Sequence, residues 1–336
     1  MWKMENTSVT YEFTLDQLTV KAFFTLSIRA DDRLVIFLWS LPIMYALGAN
    51  HLVLTAILRC PAMWKIPSYF FIILMCVCDL TMLYISIFLP LAYTAFRQAY
   101  IEDPLSAANF APWYVYNSCW WTFVISLVIM AVNRLVCAVS PHQYQNIFST
   151  RISLALAVGA AVGGFLIGLP NLHSCCYLLW FPESYSSSYW PPDSWYARFD
   201  QSFSATTTAI VVVCYTVVLI ALRKTTKMVG VVSGVYVLTF STWFLLPYTG
   251  STSKWLYSFM TSLWFVQNAT HPTIALIFNS KVRFWSVDTL RKVALEFEIW
   301  VRSEAARLVF GRRVIATPVT TTISNRTSRA SRGSRG

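Results

Sequence analysis

Charge is scarce in this sequence. Only 12% of its 336 residues are Asp, Glu, Lys or Arg, while 56% are hydrophobic. Soluble domains are about one-quarter charged, so most of this chain does not read as a water-soluble domain. Recognisable chemistry is also missing. The eight cysteines form no CxxC pair and no metal-ligand spacing. HExxH, GxSxG and phosphate-loop patterns are absent, and His51, His142, His173 and His271 fall in different segments. Neither an enzyme nor a metal or other cofactor is expected. The first thirty residues lack a continuous apolar stretch and mix Glu5, Glu12, Asp16, Lys21 and Arg29, so no secretory leader is expected.

What the chain has instead is apolar length. Runs of about 20 residues recur, each enough to cross ~30 Å of hydrocarbon. They lie at 34–58, 67–96, 113–139, 152–170, 205–222, 228–250 and 255–278. The expected fold is all-α, a seven-transmembrane helix bundle over residues 34–280 behind an N-terminal segment 1–33. Residues 281–301 place Val282, Trp285, Val293, Phe297 and Trp300 among basic ones, which suits a short amphipathic helix on the inner leaflet. Residues 302–336 form a basic tail, expected to be disordered from about 311.

The net charge of +11 is placed unevenly. Twelve of the 26 Lys and Arg lie from Lys281 onward. Beside a membrane, that points to anionic lipid rather than nucleic acid. Arg59, Lys65, Arg134, Arg151, Arg223, Lys224 and Lys227 flank alternate loops on one side, against Arg97, Arg198 and Lys254 on the other. The positive-inside rule then puts the N-terminus outside and the C-terminus in the cytoplasm of a plasma-membrane protein. The sequon Asn6-Thr7-Ser8 falls on the outer side, as glycosylation requires. The longest loop, 171–204, is also outside and is rich in Tyr and Trp.

Asp79 is the only acid inside these seven runs. A carboxylate in hydrocarbon needs water, a partner or a proton, so it should face the bundle interior. Asn50, Gln267, Asn268 and His271 are available partners. Two readings stand: an ion or proton site that couples helix positions, and a hydrogen-bonded structural node. Ser118, Thr122 and Ser126 recur every four residues on span three, followed by Asn133 and Arg134. Such a stripe lines a cavity or joins helices. Gly159-x-x-x-Gly163, Gly164-x-x-x-Gly168 and Gly230-x-x-x-Gly234 allow close helix approach, within the bundle or across a homodimer.

Several of these residues resemble the pattern of rhodopsin-like G-protein-coupled receptors. They are Gly48-x-Asn50, Pro67-Ser-Tyr-Phe ahead of Asp79-Leu80, Asn133-Arg134-Leu135 with Pro141-x-x-Tyr144, and His271-Pro272 with Phe278-Asn279-x-x-x-Arg283. Their order and spacing hold over about 34–283. A narrower resemblance is to the nematode serpentine chemoreceptors, with classes X and T nearest. It rests on Asn-Arg in place of Asp-Arg and on the run through Tyr144 to Phe148-Ser149.

The resemblance implies a sensory receptor that binds a small molecule outside and activates a heterotrimeric G protein inside. Asp79 with Asn50, Asn268 and His271 would be the central polar switch, and Arg134 with Asn133, Pro141 and Tyr144 the G-protein contact. Pro247 and Pro272 would be hinges. Pocket candidates are Ser118, Thr122, Trp243 and Tyr257. An outer disulfide would join Cys119 to Cys175 or Cys176. The chain departs from the pattern in several places. Asn133 replaces an acid, Ala275 a tyrosine, and Trp243 stands four residues before Pro247 rather than two. Rival classes are a transporter, which calls for internal repeats, and a ligand-gated channel, which would put the N-terminus inside.

Overall fold

The computed structural model describes residues 29–96, 107–191, 193–221 and 253–310, together with 234, 235, 237–239, 241–243, 245, 246 and 249. Apolar sequence becomes helix because lipid offers no partner to backbone N–H and C=O groups. Helix α1 spans Ala30–Arg59 and α2 spans Ser68–Ser86. Through a wider π-type turn at Ile87–Leu91, which holds Pro90, α2 passes into α3, Ala92–Phe96. Helix α4 is Ala107–Val139, α5 Pro141–Ile147 and α6 Thr150–Gly168. Strands β1, Tyr177–Phe181, and β2, Ser186–Trp190, form an antiparallel hairpin in the long loop. Then come α7, Trp195–Ala221, α8, Lys254–Phe278, and α9, Ser280–Phe310.

Among the described residues, five helical stretches are long and apolar enough to cross a membrane: Ala30–Arg59, Ser68–Phe96, Phe110–Val139, Thr150–Leu172 and Trp195–Val218. The chain is an all-α membrane protein, with one small hairpin among the described residues. Helix α8 has 25 residues but carries Lys254, Gln267, Asn268 and His271, which lower its apolarity. The sixth run, 228–250, lies largely outside the described residues. On α1, Leu34, Phe37, Leu38, Leu41 and Met44 are exposed, while Val35, Trp39, Ile43 and Ala46 are buried. That split puts one apolar face toward lipid and the other toward the bundle. Exposed hydroxyls turn back on their own helix, as in Thr81 to the Val77 carbonyl at 2.8 Å and Thr216 to the Val212 carbonyl at 2.7 Å.

Polar ties along one seam join α1 to α8. Trp39 Nε1 donates to Ser262 Oγ at 3.1 Å, the Tyr45 and Thr273 hydroxyls lie 2.9 Å apart, and Asn50 Nδ2 donates to the Asn268 carbonyl at 3.0 Å. A second seam joins α4 to α6 through glycine. A Cβ on Gly164 would stand 2.5 Å from the Thr122 backbone nitrogen, and one on Gly168 would stand 2.4 Å from Ser118 Oγ. Only glycine permits that approach.

The chain divides into two compact units, Met1–Thr289 and Leu290–Gly336. In the first unit, Asn279 begins α9. Its Oδ1 accepts from the Val282 N–H at 3.2 Å, and its Nδ2 donates to the Tyr69 hydroxyl at 2.8 Å. In the second unit the helix continues to Phe310, past the expected end at 301, with Val293, Phe297 and Trp300 exposed.

Candidate functional site

The polar core begins at Pro272. Proline has no N–H, so the carbonyl four residues earlier, on Asn268, loses its helical donor. Asn50 supplies one. Its Nδ2 donates to the Asn268 carbonyl and to the Ala46 carbonyl, both at 3.0 Å. Asn50, Asp79, Gln267 and Asn268 are all buried. Thus Asn50, Asn268 and Pro272, named from the sequence, meet at one point.

Asp79 is fully buried on α2, and neither carboxylate oxygen has a hydrogen-bond partner among the described residues. The expected bonds to Asn50, Gln267, Asn268 and His271 are not formed. Free acceptors also stand at Asn50 Oδ1 and Gln267 Oε1, and a free donor at Asn268 Nδ2. Asp79 lies within electrostatic reach of Cys119 and Tyr116 on α4. His271 packs edge-on against Phe123 at 5.2 Å.

At the far end of α4, Asn133 Nδ2 donates to the Tyr144 hydroxyl at 3.3 Å, tying α4 to α5, which Pro141 opens. Arg134 is half-buried and within electrostatic reach of His271 on α8 and Tyr215 on α7. Arg134 therefore faces the bundle.

Among the pocket candidates, Ser118 and Thr122 are buried against Gly168 and Gly164, so the stripe is a helix seam. Trp243 contacts Trp264 with ring centroids 5.4 Å apart. Tyr257 is half-buried on α8. Pro247 and Asn6 lie outside the described residues. The expected bridge from Cys119 is not the one present. Cys175 bonds its neighbour Cys176, and Cys119 is free and buried beside Cys78. A cysteine inside a span sits too deep to meet a loop pair that has already closed on itself.

Sequence reading missed the other end of the bundle. There the hairpin folds inward. Tyr185, at φ 54°, takes a left-handed conformation that costs a bulky residue about 1–2 kcal/mol. Its hydroxyl donates to buried Asp32 at 2.6 Å, and its carbonyl accepts from Thr261 at 2.8 Å. Lys254 pairs with Asp31 beside it. From β1, Trp180 reaches Trp39 at 5.7 Å and Trp113 at 6.3 Å.

A second acid is buried there as well. Asp200 lies on α7, inside the span that begins at Trp195 rather than 205, so Asp79 is not the only acid in a span. It accepts from the Tyr189 hydroxyl at 2.9 Å and from Ser204 at 3.1 Å. Burial first, and then the Asp200 carboxylate, push the Tyr189 phenol above its ordinary value, so it remains a donor. Asn117 and Trp121 both donate to the Tyr196 hydroxyl, at 3.3 and 2.9 Å. The signal for this network was the aromatic richness of the loop. Its partners were not visible without the fold.

No family model matches the chain, and no curated protein matches it. Among the described residues, no group of three His, Cys, Asp or Glu side chains gathers as a metal set.

Proposed function

We propose that this chain is a serpentine, G-protein-coupled receptor of the plasma membrane. It binds a small molecule at the hairpin end of the bundle, facing outside, and activates a heterotrimeric G protein at the Arg134 end, facing the cytoplasm. Residues 228–250 and helix α8 complete the seven spans. The orientation follows the Lys and Arg distribution.

The observation that carries this reading is the Asn50 bond to the carbonyl freed by Pro272. A side-chain bond can be exchanged where a backbone bond cannot, so α8 has a hinge held by a replaceable contact. Unpartnered Asp79 is buried on α2, which packs against both α1 and α8. Its charged form is costly there, so gaining or losing a proton or a cation would shift the balance between two packings. A ligand acts on such a balance only through its different affinity for the two states.

Arg134→Ala tests the reading. Cells expressing the variant should show wild-type surface levels and strongly reduced ligand-driven guanine-nucleotide exchange. Unchanged exchange would remove Arg134 from the G-protein contact.

A further inference from the structure

The disulfide in this protein joins neighbours. Cys175 bonds Cys176 with no residue between them. A disulfide stabilises a fold mainly by closing a loop of the unfolded chain, and the gain grows with loop length. A bond between adjacent residues closes almost no loop, so stability does not account for it. The turn that holds it has its own supports. The His173 N–H donates to the Pro170 carbonyl and the Cys176 N–H to the His173 carbonyl, both at 3.0 Å. The Cys175 N–H donates to His173 Nδ1 at 3.3 Å.

Exposure gives the bond a direction. Cys175 is half-buried and follows exposed His173 and Ser174, while Cys176 is fully buried. An incoming thiolate therefore meets the Cys175 sulfur, and Cys176 is the leaving group. Half-burial admits a small thiol and hinders a large one. No other cysteine of the chain is placed to take part. Cys60, Cys76, Cys78, Cys119 and Cys214 are buried, and exposed Cys137 lies at the opposite end of α4. Cys176 directly precedes β1, whose first residue, Tyr177, stacks on Phe110 of α4 with centroids 5.1 Å apart. The bond thus fixes the chain where the hairpin leaves the bundle.

We propose that the Cys175–Cys176 bond is a reversible modification site for small thiols on the outer face, and that opening it loosens the start of β1. The outer placement rests on the orientation of the receptor reading. In the first step a thiolate bonds to Cys175 Sγ, the bond to Cys176 breaks, and Cys176 leaves as a thiolate that takes the proton the attacker lost. In the second, another thiolate attacks the small thiol's sulfur in the mixed disulfide, and Cys175 leaves and is protonated in turn. Two small thiols are oxidised to one free disulfide, and the protein's disulfide is reduced to two thiols.

The test uses the full chain in lipid nanodiscs, with 2-mercaptoethanol as the small thiol and glutathione as the large one at equal thiolate concentration. Alkylation and site-resolved mass spectrometry read each cysteine. The small thiol should open the bond at least about tenfold faster than glutathione, with the mixed disulfide on Cys175. Opening should speed hydrogen exchange at Tyr177 and Leu178 at least about tenfold and leave the melting temperature within ~2 °C. Reoxidation should reverse both. In Cys176→Ser, Cys175 should take an adduct from 2-hydroxyethyl disulfide at least about tenfold faster than Cys176 does in Cys175→Ser.

The proposal falls if the two cysteines are not bonded to each other in the isolated protein, if adducts form on Cys176, or if glutathione acts as fast. It falls equally if opening lowers the melting temperature beyond that margin, which would make the bond a structural staple, or leaves exchange at the start of β1 unchanged. None of these outcomes touches the receptor reading. On intact cells treated with 2-mercaptoethanol, a membrane-impermeant maleimide should label Cys175. Labelling only after permeabilisation would overturn the outer placement and the receptor's orientation, and the exchange measured in nanodiscs would stand.

Discussion

At the scale of single residues, the chemistry turns on groups that burial leaves with too few or too specific partners. Asp79 has two unsatisfied oxygens at zero exposure. Asp79→Asn removes a carboxylate that no hydrogen-bond donor among the described residues compensates. Folding should therefore survive, with melting unchanged or raised, while ligand-driven exchange or its ion sensitivity changes. A collapse in melting temperature with normal exchange in the surviving protein would make Asp79 a structural node. Tyr185 is the opposite case, since its hydroxyl satisfies buried Asp32. Tyr185→Phe leaves that carboxylate short of a donor and should cost about 1–3 kcal/mol, seen as a lower melting temperature. No loss on melting would mean that other groups already hold Asp32. Asp79 was legible because an acid inside an apolar run stands out locally. Asp32 and Asp200 were not, because each sits at the edge of its run, where an acid looks solvated.

At the scale of elements, two seams organise the bundle. The α4–α6 seam rests on glycines whose missing side chains let Thr122 and Ser118 approach. Gly164→Ala would drive a methyl carbon into the Thr122 backbone, which cannot swing aside as a side-chain tip can. The expected cost is about 1–3 kcal/mol, measured as lower surface expression and a lower melting temperature. A variant with wild-type stability would show that α6 can shift away. The glycine spacing was legible in the sequence. That it faces the Ser–Thr stripe of span three was not, because both faces looked equally available until the two helices were packed. The hairpin was missed for another reason. Tyr177–Phe181 and Ser186–Trp190 lie in a loop read for its aromatic content, and β2 contributes three serines rather than the apolar run that marks a strand.

At the scale of the whole molecule, a membrane sets which residues face outward, and the chain's own polar groups set how its helices pack. The hairpin end gathers Asp31, Asp32, Tyr185 and Lys254, while the other end gathers Asn133, Arg134, Tyr144 and Asn279. The proposed orientation puts the first end outside. An epitope placed next to Asn6 should therefore be reached by antibody on intact cells, and Asn6 should carry glycan that a glycosidase removes. Access only after permeabilisation, with no glycan, would invert the topology and favour a channel-type arrangement.

By itself the sequence determined that this chain enters a membrane and, apart from the start of α7, roughly where its described spans lie, because run length and apolarity are local properties. It also placed Asn50, Asn268 and Pro272 in the chain, since a proline's missing N–H can be read from one residue. Only the tertiary structure decided which groups meet. Asn50 reaches Asn268 across 218 positions and Tyr185 reaches Asp32 across 153. Contacts at that separation depend on how helices rotate and pack against one another. That rotation also turned Ser118 and Thr122 from pocket candidates into a helix seam.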